Sequence, residues 1–167
     1  MHLVIEGYNL LHVNRSLIKL NSTRLQWERE RLIDRLSTYQ KHKSCEITVV
    51  FDGWQEGWST ETREKKKGIE ILFSKLGEKA DEVIKRLVKE KGSGTIVITS
   101  DRDVARFAQR MDIPVISSEQ FREKLERGSS DMPEESPEEE ENRMKKKGPS
   151  RRLSKKEKRT RAASKKL

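Results

Sequence analysis

The chain has 167 residues, 32% of them hydrophobic and 39% charged, with a formal net charge of +9. This length carries one modest core, and the single cysteine, Cys45, excludes an intrachain disulfide framework or a multi-cysteine metal site. No apolar run approaches the roughly 18 residues that span a bilayer, and the chain opens on a strand-like Leu3-Val4-Ile5, so a cytoplasmic protein without membrane contact is expected. The charge is unevenly placed. Residues 131–142 carry seven acidic and no basic residues, whereas residues 143–167 carry 13 Lys and Arg against Glu157 alone.

The predicted elements alternate. Residues 2–6 read as a short apolar strand ending at Glu6-Gly7, with a local turn around Asn9. Asn21-Ser22-Thr23 opens a helix to about His42, with Leu25, Glu28, Leu32, Leu36 and Tyr39 three and four residues apart. Residues 46–51 are rich in β-branched side chains and end at Asp52-Gly53, the pattern of a buried parallel strand. From Gly53 to Gly68 two Trp and the basic run Lys65 to Lys67 lack an apolar period and read as an exposed connection. A strand at 69–73, a helix at 79–91 and a strand at 95–99 follow. Ser100 or Asp101 opens the next helix, residues 113–116 form a terminal strand, and Ser118 opens a last helix with Phe121 and Leu125. This order predicts a three-layer α/β domain, with a mainly parallel sheet, over residues 1–128. Residues 129–167 are too poor in apolar residues for a second core and read as a disordered acidic-then-basic tail, able to meet RNA phosphates or a ribosome.

Acids recur where the predicted strands end: Glu6, Asp52 and Asp101, with Asp81 opening the helix at 79–91. In a parallel α/β sheet these ends gather on one edge. Glu82 points roughly 100° away from Asp81 around its helix, and Asp103 lies in the first turn after Asp101. Clustered carboxylates repel unless protonated, separated or neutralised by a cation, and oxygen donors match Mg2+ or Mn2+. Such a centre supports phosphodiester hydrolysis, although phosphatases, phosphoacceptor domains and helix caps also place acids at strand ends. Trp54 and Trp58 are candidates for stacking on RNA bases, and Arg63, Lys65, Lys66 and Lys67 for holding the backbone, against packing over the sheet as the plainer role. His2, His12 and His42 lack compact ligand spacing. Ser59, Ser100 and Cys45 show no nucleophile–base arrangement.

Four ordered segments, IEGYNLLH at 5–12, VVFDG at 49–53, GIEILFSKLGEKADEVIKRLV at 68–88 and ITSDRDV at 98–104, resemble the YacP-like NYN family of PIN-like ribonucleases. The resemblance covers residues 1–127. It implies a PIN-like αβα fold, one or two Mg2+ or Mn2+ ions, and endonucleolytic cleavage of single-stranded RNA, with mRNA near ribosomes as a substrate. By that likeness Glu6, Asp52, Asp81 and Asp101 are catalytic residues and metal ligands, with Asn9 and Asp103 in support. Two positions depart from the family pattern: Glu6 replaces the usual Asp, one methylene shorter, and Lys79 replaces Thr beside the Ala-Asp pair. The alternatives are an RNA- or ribosome-binding protein that keeps the fold with weak or no catalysis, and a metal-dependent phosphatase.

Overall fold

A computed structural model describes residues 1–12, 22–53, 59–127 and 155–166. Its centre is a six-stranded sheet in the order β3-β4-β2-β1-β5-β6, formed by β1 (His2–Glu6), β2 (Glu46–Phe51), β3 (Thr62–Lys66), β4 (Ile69–Phe73), β5 (Thr95–Ile98) and β6 (Val115–Ile116). All pairings are parallel except that of the edge strand β3 with β4. The α/β architecture with a mostly parallel sheet is therefore as predicted.

The strand residues alternate between two cores. Leu3, Ile5, Ile47, Val49, Phe51, Ile71 and Ile98 face a layer that includes α1 (Gly7–His12), α2 (Ser22–Lys43) and α5 (Ser118–Arg127). Val4, Val50, Leu72 and Val97 face α3 (Ala80–Lys91) and α4 (Arg102–Arg110). Because both faces are covered, β2 and β5 read as continuous apolar runs rather than alternating ones. α3 buries the stripe Ala80, Val83, Ile84, Leu87 and Val88, and turns out at Gly92, whose φ of 58° suits a residue without a β-carbon.

Three elements differ from the sequence expectation. The segment after Glu6 is a helical turn and a half, α1, because Leu10 enters the core and Tyr8 packs edge-on to Phe51 at 5.1 Å. The stretch before Gly68 is not wholly a connection. Thr62 to Lys66 pair with β4 as an edge strand, whose polar side chains suit an edge and hide it from an apolar-period reading. Finally, Lys155–Lys166 form a helix, α6, within the expected disordered tail. Ala163 on α6 is 5% exposed and belongs to the core layer of α2 and α5, and Arg159 is ion-paired with Asp112 after α4. Among the described residues, one small apolar side chain and one ion pair anchor α6, too sparse a pattern to stand out in a basic run.

At the edge where β2 begins, His2 accompanies a buried polar chain. Thr48 donates to Glu70 at 2.6 Å and so accepts from His2 Nε2 at 2.7 Å, which assigns the ring proton to that nitrogen. Burial, then the Lys91 cation, lower the pKa of His2. No helix among the described residues is long and apolar enough to cross a membrane.

Candidate active site at the carboxyl edge of the sheet

Glu6 ends β1, Asp52 follows β2, Asp101 follows β5 and Asp81 stands in the first turn of α3. The parallel register carries all four to one edge of the sheet. Two glycines make the approach close enough. A β-carbon at Gly7 would run into the Phe51 ring, and one at Gly53 would run into the Ser74 carbonyl oxygen. Gly53 N–H instead donates to Ser74 Oγ at 3.1 Å, and Ser74 Oγ donates to the Glu78 carbonyl at 2.7 Å, which ties the end of β2 to the loop that enters α3.

Each carboxylate but Asp81 spends one oxygen on the scaffold. Glu6 Oε2 accepts from Thr99 Oγ1 and, at 3.1 Å, from Asn9 Nδ2. Asp101 Oδ1 caps α4 by accepting from the backbone N–H of Asp103 at 2.7 Å and of Val104 at 3.1 Å. Asp52 Oδ1 accepts from Ala80 N–H at 2.7 Å. That bond accounts for the departure at Lys79 in structural terms: Lys79 is the N-cap residue of α3 and makes no side-chain cap, so Asp52 supplies the cap from another element. Neither Glu6 Oε1, Asp52 Oδ2, Asp101 Oδ2 nor either Asp81 oxygen has a hydrogen-bond donor among the described residues.

The acids feel one another. Burial raises the pKa of Glu6, the bonds from Thr99 and Asn9 oppose it, and the charges of Asp81 and Asp101 add to it. Burial also raises that of Asp81, with Asp101 and Asp52 adding repulsion and Lys85 and Lys79 offsetting part of it. An all-oxygen donor set with unspent oxygens and mutual repulsion fits a hard divalent cation in its chemistry. Among the described residues no three His, Cys, Asp or Glu side chains are gathered closely enough to hold a metal ion as they stand.

Asn9 links three elements beyond its bond to Glu6. Its Oδ1 accepts from Ser100 N–H and from Ser118 Oγ, both at 3.3 Å. Thr99 was not singled out in the sequence, yet its hydroxyl touches Glu6 and accepts from Asp101 N–H at 2.9 Å. The signal was its place between an apolar strand and an acid. Asp103 is drawn aside, since its carboxylate pairs with Lys85 at 3.0 Å and braces α4 against α3.

The predicted RNA-binding residues are not gathered at this edge. The register pairs Lys65 with Glu70 and Lys66 with Ile69, at the start of β4, so the basic run lies at the sheet edge opposite the carboxylates. Lys66 pairs with Glu30 at 3.0 Å and Lys67 with Asp34 at 2.5 Å, which fastens the hairpin to α2. Arg63 lies against Glu61 at 3.1 Å and Glu70 at 3.8 Å. Trp54 and Trp58 lie outside the described residues.

Comparison with known proteins agrees with this architecture. The profile of the YacP-like NYN domain matches residues 3–165, an extent that takes in all of α6 but its last residue. The chain is similar to a curated Bacillus subtilis (strain 168) protein named YacP, 29% identical over 87 residues, and the match spans 52% of this chain and about half, 51%, of that relative's length. It is also similar in fold to crystal structures of Rae1 (YacP) from Bacillus subtilis. One gives a TM-score of 0.62 at 24% identity over 78% of this chain and 76% of that one. A point mutant gives 0.64 at 23% identity over 77% of each.

Proposed function

The chain belongs to the YacP-like NYN domain family, within the PIN-like ribonuclease superfamily, and on that premise we propose that it is a divalent-metal-dependent endoribonuclease acting on single-stranded RNA. A nuclease-related function follows from the family and fold. The observation that carries the finer reading is the placement of Glu6, Asp81 and Asp101, from three separate elements, at one edge of the sheet, where their charges repel one another.

Glu6, Asp81 and Asp101 would hold the cation, with Asp52 beside them. When bound, a magnesium or manganese ion supplies electrostatic stabilisation to the charge that develops on the phosphodiester. The chain's own contribution is placement. Thr99 and Asn9 fix the Glu6 carboxylate, so the extra methylene relative to Asp is taken up by a side chain held at two points. The cap of α4 fixes Asp101, and the bond to Ala80 fixes Asp52. Asp81, without such a bond, is the carboxylate free to turn toward substrate or cation.

The test is end-resolved cleavage of labelled single-stranded RNA across magnesium and manganese concentrations, with and without ribosomes, using wild type and Asp81→Asn. Metal-dependent cuts leaving 5′-phosphate and 3′-hydroxyl ends, absent from the variant, are expected. Absence of cuts with RNA or ribosome binding retained would assign a binding role to the same fold. Preference for small phosphomonoesters would assign a phosphatase.

A further inference from the structure

A second feature of the same edge lies on α2. This helix ends at Lys43, just before β2 starts from the opposite edge, so its first turns stand level with the carboxyl ends of the strands. Arg29 over the Phe73 ring, at the end of β4, marks that level. Leu25, Leu32, Ile33 and Leu36 turn into the core, whereas Trp27 is 53% exposed. An indole with half its surface in water contributes little to the core, and a cation lies against it. Arg31 lays its guanidinium over the ring at 5.3 Å from the centroid.

Arg31 also lines a cleft of about 370 Å³ together with Arg35, Arg122 and one acid, Glu28, above an apolar floor that includes Leu10 and Leu32. Leu10 belongs to α1, the helix that begins immediately after Glu6, so one wall of the cleft comes from the element that leaves the acidic edge. Neither Arg31 nor Arg35 is in an ion pair among the described residues, unlike Lys66 and Lys67 of the β3–β4 hairpin, which pair with Glu30 and Asp34 of the same helix. Trp27, Arg31 and Arg35 follow one another at four-residue intervals, about 6 Å of rise each, on one side of α2.

We propose that Trp27, Arg31 and Arg35 form a subsite for single-stranded RNA flanking the stretch presented to the carboxylates. The indole stacks on an unpaired base, and the two guanidiniums take phosphates of the same strand as it enters the cleft. Base stacking needs an accessible ring face, which a paired duplex does not offer to a side chain standing outside it, so the chemistry selects unpaired RNA. The inference rests on the ribonuclease reading and adds where the strand runs.

Full-length protein carrying Asp81→Asn, with magnesium present, binds labelled single-stranded RNA without cutting it, and fluorescence anisotropy over a salt series reads affinity and slope. Adding Trp27→Ala is expected to weaken binding about 5- to 150-fold, the loss of one stacked base, while Trp27→Phe keeps most of it. Arg31→Gln and Arg35→Gln are each expected to lower the salt slope by about 0.7, one phosphate for a single strand. Lys66→Gln, at the other edge, leaves the slope unchanged. Full affinity in Trp27→Ala, equal binding of duplex RNA, or an equal loss in Lys66→Gln would overturn the subsite while the ribonuclease reading stands. Failure of the parent protein to bind RNA at low salt would overturn both.

Discussion

Thr99 and Glu6 are 93 residues apart in sequence and are joined side chain to side chain at the acidic edge. The same hydroxyl accepts from Asp101 N–H, so one small residue sets the position of two carboxylates on neighbouring strands. Thr99→Val keeps the shape and removes both bonds. It is expected to cost about 1 to 3 kcal/mol in urea unfolding, because a buried acceptor and donor are left unmatched. Cleavage falls in parallel, and Thr99→Ser restores most of both.

Asp81 has the opposite character, a carboxylate held at a cost to the fold. With its pKa raised, the folded state binds more protons than the unfolded one between the ordinary carboxylate range and the raised value. Stability therefore falls as pH rises through that window, and the deficit is complete above it. Asp81→Asn is expected to melt higher than wild type at pH 7.5 in metal-free buffer, and the gain shrinks toward nothing below about pH 4. In the same protein cleavage falls about 10²-fold or more, the scale of losing one preorganised electrostatic group.

Asp52 serves both the scaffold and the site. Since its Oδ1 caps α3, Asp52→Ala is expected to lower stability by about 1 kcal/mol, read as a shift in the urea midpoint. Asp52→Asn retains an acceptor at that oxygen and keeps the helix. Cleavage lost in Asn with stability intact separates the two roles.

His2 gives a pH signature far from the carboxylates. Burial lowers its pKa below the ordinary 6.5, so the unfolded chain binds the proton first. Stability is unaffected above 6.5, declines as pH falls through the unfolded value toward the lowered one, and levels off below it. His2→Gln is expected to remove this component from the melting temperature measured between pH 7.5 and 5, without changing cleavage at pH 7.5.

The helix near the C-terminal end is part of the fold. Ala163→Glu places a charged side chain where an alanine is 5% exposed, and is expected to cost about 1 to 3 kcal/mol in thermal unfolding. Ala162→Glu, at an exposed neighbour, is expected to change little.

The strand and helix order was legible because β2, β5 and α3 bury continuous or stripe-like apolar surfaces whose periods are written locally. Acids after such strands could be placed on one edge from topology alone, since parallel strands share a direction. Local pattern could not reveal β3, where Thr62 to Lys66 owe their strand to pairing with β4, or α6, which rests on Ala163 and one ion pair. Nor could it locate the cations. Lys65 to Lys67 look like a phosphate grip as a run, but an antiparallel hairpin returns them to the far edge and ion pairs bind two of them to α2. By itself, then, the sequence determined the parallel α/β frame and the four acids at its carboxyl edge, through burial periods that each segment carries alone. Tertiary structure alone decided that Thr99 holds Glu6, that Asp52 caps the helix Lys79 leaves uncapped, and that Trp27 faces water beside Arg31. Each of those depends on which distant segment arrives next to it.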